Sequence, residues 1–248
     1  LLSAASGEYF FWLADDDLLM DDALKHIKKT IKLYPQNEFI VPSSISNLKN
    51  KEKQNKETNI NLYHKQDFLN DFLIQKIRFQ GVYIVYKTNF IRKIIRINKT
   101  DKNIYYADYD LIFKSLIEMN KDSIIPFIEN PCFFFRIHNG SESNTTSDYK
   151  SFLLGQKRLL ETFTLLIEND NSINSKQIIN LFKFHLIPNF VHILVRANHF
   201  SLYKYIKLLD NFSVSKIKFK LLIRLEIIFL YFKSYFFLLR SYLSKCIK

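Results

Sequence analysis

An aromatic run that ends almost directly on three carboxylates limits what this chain can fold into more than any other feature. Glu8–Leu13 reads EYFFWL, and after Ala14 come Asp15, Asp16 and Asp17. A nearly continuous apolar run of this length predicts a strand buried on both faces of a largely parallel sheet. Because adjacent carboxylates repel one another in a low-dielectric interior, the strand should end where the aspartates begin. The sequence therefore predicts a strand followed by an acidic turn.

A helix is predicted directly after this turn. Asp21 can cap its start, and Leu24, Ile27 and Ile31 recur at helical spacing before Pro35. The segments that follow alternate between strand, helix and loop patterns. The predicted elements are strands at Phe39–Val41, Val82–Tyr86 and Cys132–Ile137, helices at Gln66–Gln75 and Asp108–Met119, and polar loops at Asn47–Asn61 and His138–Asp148. This mixture predicts an α/β fold for residues 1–148.

The second half of the chain, residues 149–248, has long helical patterns without convincing strands. A kink is expected at Pro188 and a boundary at Asn211–Ser215. The last segment, Lys216–Lys248, sets eight basic residues against the single acid Glu226 among many apolar side chains. This pattern predicts contact with a membrane surface, or else a helix buried against the rest of the protein.

Composition narrows the classes of partner and compartment. The 248-residue chain has a net charge of +12, which favours nucleic acid, an acidic membrane surface or diphosphate substrates. Cys132 and Cys246 lie too far apart to suggest a zinc site or disulfide framework, and this fits a reducing cytosol. Charges interrupt every apolar stretch, so no transmembrane helix is predicted. The first residue is Leu1, and we expect the chain to begin inside a domain.

The triple aspartate predicts a site for Mg²⁺ or Mn²⁺. One or two carboxylates hold such an ion and leave coordination positions for substrate phosphate oxygens. Ligands of open α/β sheets also bind beyond the carboxyl ends of the strands. The alternative is a solvated acidic turn ahead of a helix N-terminus, where aspartates are favourable without any metal.

The segment SGEYFFWLADDDLLMDDAL resembles family 2 glycosyltransferases, and especially the subgroup with three consecutive aspartates that builds bacterial surface polysaccharides. Three more motifs follow in the family order. They are Gly81 before VYIVY, Asp108 before YDLIFKSL, and Arg136 with His138 in FFFRIHNGSES. The resemblance spans about residues 1–143 and lacks the family's preceding nucleotide-binding strands. The commoner family form has Asp at position 14 and Glu at position 107, where this chain has alanine.

The resemblance implies a GT-A-like fold, incomplete at its N-terminus, and sugar transfer from a nucleotide-sugar donor to a saccharide acceptor that is lipid-linked. For an inverting, metal-dependent reaction it implies Asp108 as the catalytic base. It implies Mn²⁺ or Mg²⁺ held foremost by Asp15 and Asp17, then by Asp16, with His138 completing the shell. The implied substrate-binding residues are Asp15, Gly81, Arg136, His138 and Trp12.

Several of these residues also have a purely structural interpretation. Asp108 can be an idle acid at a helix N-terminus, and Asp110 is a rival base on the same turn. Arg136 and His138 can bind diphosphate or simply cap a turn. Trp12 can stack on a sugar or base, but a tryptophan in a buried strand is more often core. The spacing of His185, His192 and His199 marks one helix face more readily than a metal cluster.

Two other functional classes compete with the transferase hypothesis. A basic nucleic-acid-binding or scaffold protein would use the Lys-rich loop and tail, although no nucleic-acid-binding motif is present. A phosphoryl-transfer enzyme would need a Gly-rich phosphate loop, which these residues lack. We therefore expect a cytoplasmic transferase, peripheral on the inner face of the cytoplasmic membrane, without a nucleic-acid partner.

Overall fold

A computed structural model of the chain describes residues 2–46, 57–77, 79, 81–96, 107–120, 122–136, 149–170, 173 and 175–186. The chain divides into two compact units. The first comprises Leu1–Lys102 and Leu111–Thr145, and the second comprises Asn103–Asp110 and Thr146–Lys248. The short segment around Asp108 therefore groups with residues far along the chain.

The described strands all belong to the first unit. They are β1 (Tyr9–Phe10), β2 (Leu18–Leu19), β3 (Phe39–Ile45), β4 (Ile60–His64), β5 (Val85–Lys87) and β6 (Ile124–Phe134). The helices are α1 (Ala23–Leu33), α2 (Lys65–Leu73), α3 (Thr88–Arg96), α4 (Ala107–Glu118), α5 (Tyr149–Asn169) and α6 (Ser175–Leu181), with a 3-10 turn at Gly81–Tyr83 and a π-helical turn at Phe182–Leu186. The predicted α/β class is confirmed at this level.

The sheet is mixed, with β3 and β6 at its centre. Its order is β1-β5-β3-β6-β2, and β4 also pairs with β6. Only β3 and β6 run parallel among the described pairs, and the pairings β1–β5, β3–β5, β2–β6 and β4–β6 are antiparallel. The prediction of a largely parallel sheet is therefore wrong for the described strands. The antiparallel pairs lie on both sides of the central pair: β5 and β1 beyond β3, and β2 and β4 along the edge of β6 that faces away from β3.

The strand predicted at Glu8–Leu13 is much shorter than expected. β1 is a two-residue edge strand, half-buried and antiparallel to β5. Ring contacts explain the aromatic run, because the ring centroids of Phe10 and Trp12 lie 4.6 Å apart and those of Trp12 and Tyr86 lie 6.4 Å apart. The prediction of burial on both faces is wrong, since these rings cover one another at a sheet edge and Leu13 is exposed.

Three predicted helices are confirmed as α1, α2 and α4. In α1 the buried positions Ala23, His26, Ile27 and Thr30 have the spacing of one helix face. The helix begins after Asp22, whose side chain makes no capping bond, so the predicted cap at Asp21 is wrong.

The remaining strand boundaries differ from the predictions. Gly81–Tyr83 forms a 3-10 turn, so only the end of the strand predicted at Val82–Tyr86 is extended. β4 begins at Ile60, inside the predicted loop Asn47–Asn61. β3 and β6 are longer than predicted because each continues through proline. At Pro42 the register of β3 against β6 shifts, and this irregularity accommodates a residue that cannot donate a ladder hydrogen bond.

The core of the first unit lies where α1 packs on the central strands. Fully buried Ile128, Cys132 and Phe133 of β6 contribute to it, together with Tyr83 and Ile40. Burying one large apolar side chain contributes about 1.5–3 kcal/mol. Burial also raises the pKa of the Cys132 thiol to about 12, so that this cysteine stays neutral and unreactive.

The described elements of the second unit are all helical: the first turn of α4, α5, α6 and the π-helical turn. Four predictions concern residues outside the described part of the chain, namely those for His138–Asp148, Pro188, Asn211–Ser215 and Lys216–Lys248. Among the helices that the structure describes, none combines the length and apolar character needed to cross a bilayer.

Candidate functional site

The three consecutive aspartates occupy different environments. The Asp17 amide donates to the carbonyl oxygen of Ala14 at 3.2 Å, which closes a turn with Asp15 and Asp16 at its two central positions. Asp15 is exposed and Asp16 is half-buried, whereas Asp17 is only 6% exposed. The turn therefore keeps one carboxylate inside the protein and leaves the other two closer to solvent.

The buried carboxylate of Asp17 joins three segments of the first unit. Its Oδ1 accepts a hydrogen bond of 2.8 Å from the backbone N–H of Arg136, just beyond β6. Its Oδ2 accepts a hydrogen bond from the hydroxyl of Tyr83 in the 3-10 turn. Pairing of Leu18 with Phe134 brings the start of β2 next to the end of β6 and makes the first contact possible. Asp17 thus anchors the acidic turn to both neighbours.

The side chain of Tyr83, which donates to Asp17, is itself fixed by burial and ring stacking. Its side chain is fully buried, and its ring stacks on Phe133 with the centroids 4.5 Å apart and the planes at 10°. Burial raises the pKa of Tyr83 far above its usual range, and the hydrogen bond to Asp17 and the charges of Asp17 and Asp16 raise it further. The hydroxyl therefore remains a proton donor throughout the physiological pH range.

The acidic turn suits a hard cation bound by two carboxylates better than one bound by three. Asp17 is buried and hydrogen-bonded through both oxygens, whereas Asp15 is exposed and Asp16 is half-buried at the centre of the turn. Within the described residues no group of three or more His, Cys, Asp or Glu side chains could hold a metal ion. Mg²⁺ needs only one or two protein carboxylates when substrate phosphates and water complete its shell. The residues present fit that kind of site.

The other residues predicted for the first unit lie around this turn. The backbone of Arg136 meets Asp17 while its side chain is exposed. Gly81 is buried at the start of the 3-10 turn that presents Tyr83. Trp12 is half-buried and packs edge-on against Phe10 and Tyr86. These contacts favour the core interpretation of Trp12 over the substrate-stacking one. His138 lies outside the described residues.

Asp108 and Asp110 differ in the same way as the aspartates of the acidic turn. Asp108 is half-buried in the first turn of α4, within the second unit. Burial raises the pKa of Asp108 to about 6, and hydrogen bonds from the backbone N–H groups of Tyr109 and of Asp108 itself oppose the rise. Asp110 is buried and accepts a hydrogen bond from the hydroxyl of Thr162. A pKa of about 6 suits a general base near neutral pH.

The sequence did not point to the two side chains that hold the buried acids, Tyr83 for Asp17 and Thr162 for Asp110. Tyr83 sits in the apolar run GVYIVY, where a tyrosine reads as ordinary core. The usable signal is weak: a buried tyrosine hydroxyl generally has a hydrogen-bond partner, but the sequence does not say which one. Thr162 carries no signal at all, because a threonine in a long helical pattern is unremarkable.

No protein-family model matches the chain, and comparison with curated protein sequences finds no match. Functional interpretation therefore depends on the order of the motifs and on the geometry of the acidic residues.

Replacing Tyr83 by phenylalanine tests the anchor. Tyr83→Phe keeps the ring stacked on Phe133 but leaves Oδ2 of a buried carboxylate without that donor, so we expect a loss of about 1–3 kcal/mol in the free energy of unfolding. Urea denaturation measures it. The control Tyr63→Phe removes the hydroxyl of a half-buried tyrosine on β4 and should change stability by about 0.5 kcal/mol or less. Equal effects of the two substitutions would contradict the anchoring role.

Proposed function

We propose that this chain is the acceptor-side part of a metal-dependent glycosyltransferase of the family 2 type, with a GT-A-like fold. It transfers a sugar from a nucleotide-sugar donor to a saccharide acceptor that is linked to a lipid. This reaction is a step in the synthesis of a surface polysaccharide. The observation that carries the proposal is the geometry of the acidic turn. Asp15 and Asp16 lie at its centre, and the buried carboxylate of Asp17 anchors it through two hydrogen bonds. The motif order around this turn supports the family.

In this proposal the three aspartates have different roles. Asp15 and Asp16 hold Mn²⁺ or Mg²⁺, and Asp17 keeps their turn in shape. The bound cation supplies positive charge that neutralises the departing diphosphate. The exposed guanidinium of Arg136 adds hydrogen-bond donors for phosphate oxygens beside the turn. His138 contributes either to that diphosphate contact or to the metal shell.

Asp108 is the proposed base. Its carboxylate takes the proton of the acceptor hydroxyl while that oxygen forms a bond to the anomeric carbon. The bond from the anomeric carbon to the donor diphosphate breaks on the opposite side, so the configuration inverts and the nucleoside diphosphate leaves. A pKa of about 6 supports this role, because the carboxylate is mostly ionised at pH 7 and still accepts a proton readily.

The solvent face of α1 supports action at an anionic membrane surface. Lys25, Lys28, Lys29 and Lys32 line it, with partly exposed Leu24 and Leu33 on either side. By helical periodicity this lysine face lies opposite the buried positions of α1. A basic surface also serves the alternative function, polyanion binding without catalysis, so catalysis needs its own test.

Metal dependence is tested at the central aspartates. We expect Asp15→Asn and Asp16→Asn each to lower kcat/KM for glycosyl transfer by about 100-fold with little change in stability, because neither side chain is fully buried. Transfer is measured on full-length protein with a panel of nucleotide sugars, with and without Mn²⁺ or Mg²⁺. Asp21→Asn, at a nearby exposed acid, is the control. Full activity in EDTA would contradict the metal role.

The pH dependence tests Asp108. Because the base must be ionised, we expect kcat to fall about tenfold per pH unit below pH 6, and Asp108→Asn to lose activity by about 100-fold or more. A pKa raised in the folded state stabilises the protein at low pH, and that stabilisation is lost as the pH rises through about 6. Asp108→Asn should therefore resist urea better than the wild type at pH 7. Normal turnover of this variant would exclude Asp108 as the base.

Membrane association is tested by sedimentation with anionic and neutral vesicles. Each lysine near an anionic surface contributes about 1 kcal/mol, so replacing the lysine face of α1 by glutamine should greatly weaken binding at low salt. The control removes four charges from scattered exposed sites, namely Lys93, Lys157, Lys176 and Lys183. If the control lowers binding equally, overall charge rather than this face is responsible.

A further inference from the structure

The acid two residues after the proposed base is hydrogen-bonded to helix α5. Asp110 is 8% exposed, and its carboxylate accepts a hydrogen bond from the hydroxyl of Thr162, which is 6% exposed. A carboxylate that leaves water requires such partners, because an unpaired buried charge costs several kcal/mol. The contact therefore holds the first turn of α4 against the middle of α5 within the second unit.

The residue between the two acids is tied to the π-helical turn. The hydroxyl of Tyr109 lies 3.3 Å from Nδ1 of His185, and the two rings meet edge-on with their centroids 5.2 Å apart. His185 is only 2% exposed. Side-chain Nε2 of Gln156 on α5 donates to the carbonyl oxygen of Leu186 at 3.0 Å and so braces the end of this turn. π-Helical turns are rare and often occur at functional sites.

Asp108 is thus followed by two residues that are each fixed from outside α4. Its backbone cannot shift along or around the helix axis without breaking the contacts of Tyr109 and Asp110. A general base has to meet its proton within hydrogen-bonding distance, and a misplacement of about 1 Å can cost about 100-fold in rate. Rigid support of this turn has a direct kinetic consequence.

We infer that Thr162 and His185 are positioning residues for Asp108: they hold the first turn of α4, through Asp110 and Tyr109, where its base can receive the acceptor proton. This inference rests on the proposed function. It assigns the helices after residue 145 a part in catalysis, in addition to any contact with a membrane. Neither Thr162 nor His185 needs to touch a substrate.

Apolar packing alone does not account for these contacts. Replacing buried polar or ionic groups by well-packed apolar side chains of similar size is often neutral or stabilising, but in some proteins the polar groups restrict the packing to one arrangement. A turn that carries a base gains from that restriction. The distinguishing consequence is kinetic: loss of a positioning contact lowers kcat more than it changes KM.

Thr162→Val tests the inference, because it keeps the shape of the side chain and removes the hydroxyl. We expect kcat for glycosyl transfer by full-length protein to fall about 10- to 100-fold with KM within about twofold, and Thr162→Ser to restore most of it. Thr164→Val is the matched control. The Thr164 hydroxyl donates to the carbonyl of Leu160 in its own helix at 2.8 Å, so its loss should leave kcat unchanged. His185→Phe should lower kcat in the same way.

Amide hydrogen exchange provides a readout that needs no activity. The amides of Leu111–Phe113 bond to carbonyls of the first turn of α4 by ordinary helix geometry, so they report its opening. We expect faster exchange there in Thr162→Val than in Thr164→Val, and faster exchange in His185→Phe if Thr162→Val fails to fold. Unchanged exchange and normal kcat in both Thr162→Val and His185→Phe would overturn the inference. If the wild-type full-length protein shows no glycosyl transfer with any of the nucleotide sugars, the proposed function itself fails, whereas normal turnover of Asp108→Asn would remove only the assignment of the base.

Discussion

The acidic turn depends on one buried carboxylate. Asp17 accepts a hydrogen bond from the Tyr83 hydroxyl and another from the Arg136 backbone, so it links a 3-10 turn, the end of β6 and the segment that leaves β1. Taking a carboxylate out of water is unfavourable unless such donors replace its hydration. Once they do, the turn has little freedom, and Asp15 and Asp16 are held at its centre. The stacking of Tyr83 on Phe133 connects this anchor to the core.

The same physical arrangement recurs in the second unit. There Asp110 is buried and bonded to Thr162, while Asp108, two residues earlier, has a pKa raised toward neutrality. In both places one acid is buried and hydrogen-bonded, and the proposed function assigns the chemistry to an acid one or two residues away. Acids that are close in sequence therefore differ in burial and bonding because their surroundings differ in donors and in access to water.

Helices were easier to predict than strands, and the reason is local. α1, α2 and α4 follow from a 3.6-residue repeat of apolar side chains, which the residues within one segment determine. β1 depends on which strand pairs with it. The run EYFFWL could lie at the centre of a parallel sheet or, as observed, at an antiparallel edge covered by its own aromatic rings. β4, a strand with an exposed face, has too few apolar residues to stand out from the polar sequence before it.

The sequence by itself determined where the candidate chemistry lies: an acidic cluster after an aromatic run, a second acidic pair opening a helix, and a basic residue after an aromatic strand. Only the tertiary structure decided which aspartate of each group is buried and anchored and which is less buried. That choice depends on donors far away in sequence, Tyr83 and Arg136 for one group and Thr162 for the other. A linear pattern does not contain such pairings, because burial and hydrogen bonding arise only when distant segments pack together.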